Sequence, residues 1–282
     1  MSEQVDGNPG GDAGTTVEVK GRRLYLECAG TGSPAVVLQH GFGAAADVWS
    51  FSETAAPAVQ PELATTNRVC SYDRPGAKLT TIAPVLQRGR SDSVPMPRDP
   101  AAVVTELHDL LAAADVPGPY VMVGHSLGGT LSVLYARTYP DQVCALVVVD
   151  SPQPPLRGLI SAKAWETARI LSFPPDVLPG YEHESYDLQK LFEEIEAAGP
   201  LPGIPVVDVR RGEVRMFDGP PPEGWTQAEL DAANKAQREA QVLWAKSVPG
   251  AEVITVPGTT HDIHTQRPDA VVAAIRGAIA RT

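Results

Sequence analysis

Tyr120-Val-Met-Val-Gly-His-Ser-Leu-Gly-Gly129 decides how this chain is read. Four apolar residues, Tyr120 to Val123, run unbroken into Gly124-His125-Ser126-Leu127-Gly128, and an apolar helical pattern starts directly after them. An unbroken apolar run predicts a strand covered on both faces, as in a parallel sheet. A G-x-S-x-G set between such a strand and a helix predicts a sharp turn that holds the serine hydroxyl clear at the strand's carboxyl end. Gly124 and Gly128 fit, because so tight a bend leaves no room for side chains two residues either side of Ser126. A glycine-rich turn with a bystander serine would explain the glycines but not the placement. Ser126 is the candidate nucleophile.

Outward from this stretch, strands and helices alternate. Upstream, Val17 to Cys28 predicts two short antiparallel strands joined at Gly21. Ala35 to Leu38 is an apolar strand running into Gln39-His40-Gly41-Phe42-Gly43, and Arg68 to Tyr72 is another, closed by Asp73-Arg74-Pro75-Gly76. Residues 51–66 read as a helix interrupted by prolines 57 and 61. Asp99-Pro100 opens a clearer one, with an N-cap aspartate and proline at the first helical position. Downstream, Ala145 to Val149 ends in Asp150, Ile204 to Val209 regains strand character, and a polar helix covers about 226–247. Ala251 to Val256 leads to Pro257-Gly-Thr-Thr-His261, and a helix from Pro268 closes the chain.

Such alternation implies right-handed crossovers and a mostly parallel sheet. Reactive loops then gather at the strands' carboxyl ends. Phe42, Asp73, Ser126, Asp150 and His261 all follow a strand end. Between Pro152 and Gly203 prolines cluster around two amphipathic patterns, 159–172 and 185–198, which marks 152–203 as a candidate helical lid. Residues 1–14 lack lysine, arginine and any apolar stretch, so they read as a flexible tail rather than a secretory signal. The expected core is therefore 15–151 with 204–282.

A chain of 282 residues can bury one large core. Its net charge of −11 argues against nucleic acid, which requires a basic face, and against an anionic membrane surface. No apolar run is long enough to span a bilayer. Cysteines 28, 70 and 144 are few and widely spaced, which suits reduced core thiols. The expectation is a soluble, cytoplasmic protein acting on a small molecule.

With His40-Gly41-Phe42-Gly43, Tyr72-Asp73-Arg74-Pro75-Gly76, Gly124-His125-Ser126-Leu127-Gly128-Gly129 and Gly258-Thr-Thr-His261-Asp-Ile263 together, the chain resembles the α/β-hydrolase superfamily from about residue 17 to 280. The resemblance implies a doubly wound, mostly parallel eight-stranded sheet with a lid, and a triad in the order Ser, acid, His. It assigns the oxyanion donors to the backbone amides of Phe42 and Leu127. A serine needs a neighbouring imidazole to remove its proton, and His261, between the last strand and the last helix, is the candidate base.

The acid stays open at this stage. Much of the superfamily places it after the strand at 204–209, where this chain reads Arg210-Arg211-Gly212-Glu213-Val214-Arg215-Met216. Other branches use the end of the preceding strand, which favours Asp150; Glu213, Asp218 and Asp208 are the alternatives. A second departure separates Tyr72-Asp-Arg-Pro-Gly76 from Gly89-Arg-Ser by Ala77 to Arg88, whose Leu79, Ile82, Val85 and Leu86 either edge the pocket or form an ordinary surface loop.

Other candidates have plain readings beside them. Trp49 and His125 are candidate pocket residues, although large aromatics are more often core. His261-x-x-His264 lacks a third ligand motif, so no metal is expected and His264 reads as a surface or supporting residue. Asp73 and Arg74 read as a pair that fixes its own loop, and His40 as support for the oxyanion loop. The acidic run Glu182, Glu184, Asp187, Glu193, Glu194 and Glu196 reads as a solvated helix face.

Read together, these features predict a serine hydrolase for an uncharged ester, lactone or thioester, with no cofactor. The alternatives are carbon–carbon hydrolysis, lyase or natural-product tailoring chemistry on the same fold, and a hydrolase-like receptor with little turnover.

Overall fold

The apolar runs become the strands of one eight-stranded sheet. The computed structural model describes residues 14–79, 87–172, 181–215, 221 and 224–282. Its strands are β1 (Thr15–Val19), β2 (Arg22–Ala29), β3 (Val36–Gln39), β4 (Val69–Tyr72), β5 (Tyr120–His125), β6 (Val143–Val149), β7 (Val206–Arg211) and β8 (Glu252–Val256). Their order across the sheet is β1-β2-β4-β3-β5-β6-β7-β8. β1 with β2 and β2 with β4 are antiparallel. From β4 to β8 every pairing is parallel.

The helices are α1 (Val59–Leu63), α2 (Pro100–Ala113), α3 (Leu127–Thr138), α4 (Leu156–Leu159), α5 (Ala162–Ala168), α6 (Leu188–Ala197), α7 (Gln227–Ser247), α8 (Ile263–Gln266) and α9 (Pro268–Ile279). Alternate residues of β5 feed two separate cores, which is why its sequence shows no polar face. Tyr120 and Met122 pack with Leu107, Leu110 and Leu131 of α2 and α3. Val121 and Val123 pack with Leu63 of α1 and Val271 and Ile275 of α9. α2 starts as its sequence predicts: the Asp99 carboxylate accepts from the Ala102 N–H, and Pro100 takes the first turn.

Several boundaries differ from expectation. Of the helix expected over 51–66, only Val59–Leu63 is helical, preceded by a single tight turn at Ala46–Ser50. The two patterns in 152–203 yield shorter helices, and Ile170–Leu171 pairs with Tyr186–Asp187 in a small antiparallel ribbon. Lys78–Leu79 and Gln87–Arg88 form another; Ile82, Val85 and Leu86 lie outside the described residues. β7 runs to Arg211, so Arg210 and Arg211, read as following the strand, are inside it.

The cysteines also correct their reading. Cys28 and Cys70 are directly opposite on β2 and β4 and form a disulfide, leaving Cys144 free. Sequence spacing does not reveal the pairing, because the two cysteines are 42 positions apart and the chain between them includes β3, which inserts next to β4. Among the described residues, no helix is long and apolar enough to cross a membrane.

Candidate active site

The strand order reverses between β3 and β5, and at this switch the carboxyl-end loops converge. Ser126 sits between β5 and α3 with φ 52° and ψ −125°, a left-handed backbone conformation rare for a side chain of this kind. Its N–H bonds the Val149 carbonyl at 2.9 Å, which pins the bend to β6. A Cβ on Gly124 would lie 2.3 Å from the Gly128 carbonyl oxygen, and one on Gly128 would lie 2.3 Å from that of Gln39. Both glycines are therefore steric requirements of the turn. Leu127 opens α3, so its N–H has no carbonyl partner within its own helix.

Asp150 follows β6 and is fully buried, also with positive φ, 45°. Its Oδ2 accepts from His261 Nδ1 at 2.7 Å. Arg211 Nη1 donates to both of its oxygens at 2.7 Å, and Gln241 Nε2 of α7 donates to Oδ1 at 3.0 Å. Burial by itself would raise this carboxyl. The hydrogen bond and charge of His261, the charge of Arg211 and the Gln241 bond outweigh it and hold Asp150 below the usual carboxylate range. With its Nδ1 proton engaged by Asp150, His261 keeps the Nε2 lone pair for a proton acceptor's role.

Two of the other acid candidates, Glu213 and Asp208, have different surroundings. Glu213 is exposed, and Asp218 lies outside the described residues. Asp208 is buried on β7 but pairs with Arg210 at 2.7 Å. Among the described residues, the carboxylate bonded to the His261 ring is that of Asp150.

The Gly41-Phe42-Gly43 loop is held from below by Arg74, whose guanidinium donates to the carbonyls of His40 at 2.7 Å and Gly41 at 2.8 Å. Arg74 pairs not with Asp73, as expected, but with Glu184 at 3.0 Å, both side chains being fully buried. Glu184 also accepts from the Gly43 N–H. Asp73 instead binds Arg90 at 2.8 Å and the Ala46 N–H at 2.9 Å. Glu184 is thus not part of a solvated face: it ties the 152–203 segment to the loop after β3. His40 is buried beneath that loop, its Nδ1 2.8 Å from the Gly41 carbonyl. Burial first, and the Arg74 charge second, push its imidazole well below the ordinary range and keep it neutral.

Ser126, His261, Phe42, Leu127 and His125 all line one cavity of about 950 Å³. Leu156, Ile160, Ile170, Leu171 and Leu188, from the 152–203 segment, contribute apolar wall, and Leu230, Asn234 and Gln237 come from α7. Trp49 is not among the lining residues: it is fully buried behind His264, ring centroids 4.9 Å apart. His264 does line the cavity and is only 1% exposed, so of its two readings, surface or supporting residue, the surface one does not hold. Its ring lies 4.2 Å from that of His125, whose Nε2 meets the His261 carbonyl at 3.0 Å. Burial pushes both imidazoles down, His264 to about 3. His125, His264 and Asp262 bring one potential ligand atom each to within 4.8 Å of one another.

Arg211, Gln241 and Glu184 are the residues the sequence reading missed. The one usable signal was an Arg210-Arg211 pair abutting a valine run, which asks for buried carboxylates nearby.

Comparisons with known proteins agree with this architecture. A model of the alpha/beta hydrolase family matches residues 35–274. The pimeloyl-[acyl-carrier protein] methyl ester esterase of Sodalis glossinidius is 32% identical over 162 residues, 57% of this chain and 50% of that protein. The dihydrolipoyllysine-residue acetyltransferase component of the acetoin cleaving system of Pseudomonas putida is 26% identical over 280 residues, 93% of this chain and 68% of that one. The chain spans only 15% of a Schizosaccharomyces pombe relative and 31% of the bovine (lyso)-N-acylphosphatidylethanolamine lipase. A thermophilic esterase from Thermogutta terrifontis superposes with a TM-score of 0.62 at 19% identity, covering 96% of this chain and 100% of the other. With a family match across most of its length and the sheet order to go with it, the chain belongs to the alpha/beta hydrolase family.

Proposed function

We propose that the protein is a serine hydrolase that cleaves a carboxylic ester, lactone or thioester of a small to medium, uncharged substrate through an acyl-enzyme on Ser126. The observation that carries this reading is the 2.7 Å bond from Asp150 to the imidazole of His261, in a cavity that His261 shares with Ser126. Ser126 Oγ attacks the carbonyl while His261 Nε2 takes its proton. The N–H groups of Phe42 and Leu127 receive the oxyanion; losing one such donor costs roughly 3 kcal/mol of transition-state stabilisation. His261 then passes the proton to the leaving group and draws one from the water that frees the acid. Asp150 fixes the imidazole tautomer and stabilises the imidazolium.

The apolar wall supports an acyl group with little charge, and the 152–203 segment that supplies much of that wall acts as the lid. The Sodalis relative named as a methyl ester esterase supports ester chemistry over transfer. A fluorophosphonate should label Ser126, and activated esters of graded acyl length should turn over many times per protein. Ser126→Ala should abolish both. A long-lived adduct without turnover would make the protein a binder, and product formed without uptake of water would make it a lyase.

A further inference from the structure

His264 is buried, yet neither ring nitrogen has a hydrogen-bond partner among the described residues. Such a ring is poorly satisfied as plain core. Its surroundings are those of a ligand set. His125 comes from the end of β5, Asp262 and His264 from the turn into α8, and all three line the cavity. His125 Nε2 lies 3.9 Å from Asp262 Oδ1, and the three donor atoms fall within 4.8 Å of one another. Asp262 is half exposed, so the group opens on the cavity rather than into the core.

We propose that His125, Asp262 and His264 form a binding site for a divalent transition-metal cation of the zinc type, entered from the cavity, whose occupation inhibits the reaction. Two imidazoles and one carboxylate suit a borderline ion such as Zn²⁺, and small rotations close the donor spacing to that of a tetrahedral site. The fourth position faces the cavity and takes water. Hard cations such as Mg²⁺, which favour oxygen donors in an octahedron, do not fit two nitrogen ligands.

Binding exchanges one bond for another. His125 Nε2 gives up the His261 carbonyl, the ring's single proton moves to Nδ1, and the metal takes the Nε2 lone pair. The His125 ring lies 4.5 Å from that of His261, so the cation and its water occupy space beside that ring in the cavity it shares with Ser126. The inhibition, unlike the binding, rests on the serine-hydrolase reading.

The test uses the whole protein, stripped of metal by a chelator and titrated with Zn²⁺ alone by calorimetry. One equivalent should bind, and Co²⁺ should give the intense visible absorption of a four-coordinate ion. Asp262→Asn, at a half-exposed position that leaves folding intact, and His264→Asn should each weaken Zn²⁺ at least tenfold. Ser126→Ala should bind as the parent does, so a failure of the hydrolase reading leaves this result standing. Absence of saturable binding, or an affinity unchanged in Asp262→Asn, overturns the site. In turnover of an activated ester, Zn²⁺ should inhibit the parent at concentrations that leave Asp262→Asn uninhibited. Equal inhibition of the two, or activation of the parent, overturns the inhibitory role.

Discussion

β6 and β7 lie side by side and parallel, with Leu146–Val149 in register with Val206–Val209, yet they end in opposite charges. β6 delivers Asp150; β7 delivers Arg211. Both side chains are buried, and the guanidinium of the second bonds both oxygens of the first. Among the described residues directly after β7, where much of the superfamily that the sequence resembles places its acid, the carboxylate is that of Glu213, and it is exposed. The arginine at that strand's end compensates the charge its neighbour buries. A buried carboxylate needs such a partner, because leaving water without one is far costlier than a hydrogen bond repays. The difference teaches that two adjacent strand ends can serve one imidazole, one bringing the carboxylate bonded to it and the other the guanidinium that offsets that carboxylate's charge.

The sharpest way to break this comparison is to neutralise each candidate acid. Asp150→Asn should lower ester turnover by roughly 10⁴-fold, since the amide disturbs the imidazole tautomer and no longer stabilises its charge. Glu213→Gln should leave turnover near that of the parent. Steady-state kinetics of the two variants decide between the strand ends: near-normal turnover in Asp150→Asn would return the acid to β7.

Arg211→Met separates support from chemistry. Removing one partner of a buried pair costs about 3–5 kcal/mol, read from urea unfolding near neutral pH. The sign with pH follows from Asp150, whose folded pKa lies below its unfolded value of 3.8. Its stabilisation is present above that value and lost as pH falls through the folded one. The deficit of the variant should therefore be full at neutral pH and narrow in acid. An equal deficit at both would mean that Arg211 acts through packing alone.

The legible parts of this site were those whose geometry demands a residue type. Gly124, Ser126 and Gly128 could be read because a turn with Cβ atoms pressed to 2.3 Å from backbone oxygens admits no other pattern. The place of His261 on the cavity that Ser126 lines could be read because it follows the last strand. Asp150 could be put forward from its place but not chosen, because choice required knowing which carboxylates near β7 face the imidazole. Arg211 was only hinted at by its place beside a valine run: its partner lies 61 residues away, and local pattern does not say which carboxylate that is. Glu184 failed likewise, its neighbours suggesting water while Arg74, 110 residues earlier, draws it inside. Trp49 fills core instead of lining the pocket, and His264 reaches the cavity instead of the surface.

Asp208 sharpens the contrast with a smaller effect. It is one strand away from Asp150 and also buried beside an arginine, but burial dominates and pushes its carboxyl up to about 6. The folded state then holds a proton that the unfolded chain releases, so stability falls as pH rises from about 4 to 6, by roughly 3 kcal/mol at 1.36 kcal/mol per unit. This slope is opposite in sign to that from Asp150. Asp208→Asn should remove the decline across that window while leaving ester turnover intact. Unfolding measured at several pH values checks the first, and a loss of turnover comparable to that of Asp150→Asn would dissolve the distinction between the two aspartates.

The effect least connected to the site lies on the far side of the sheet, where the Cys28–Cys70 bridge joins β2 to β4 away from β6 and β7. Closing a loop across 42 residues limits the unfolded chain and contributes about 2–4 kcal/mol in the chain-entropy picture. Cys28→Ser with Cys70→Ser should lower the unfolding midpoint accordingly and leave kcat/KM unchanged, because neither cysteine lines the cavity. Thiol titration of the denatured protein should count one free cysteine before reduction and three after. Three before reduction would restore the expectation of reduced thiols, and with it the cysteine argument for a reducing compartment. One would leave the cytoplasmic reading without that support, since bridges of this kind persist mainly in oxidising surroundings.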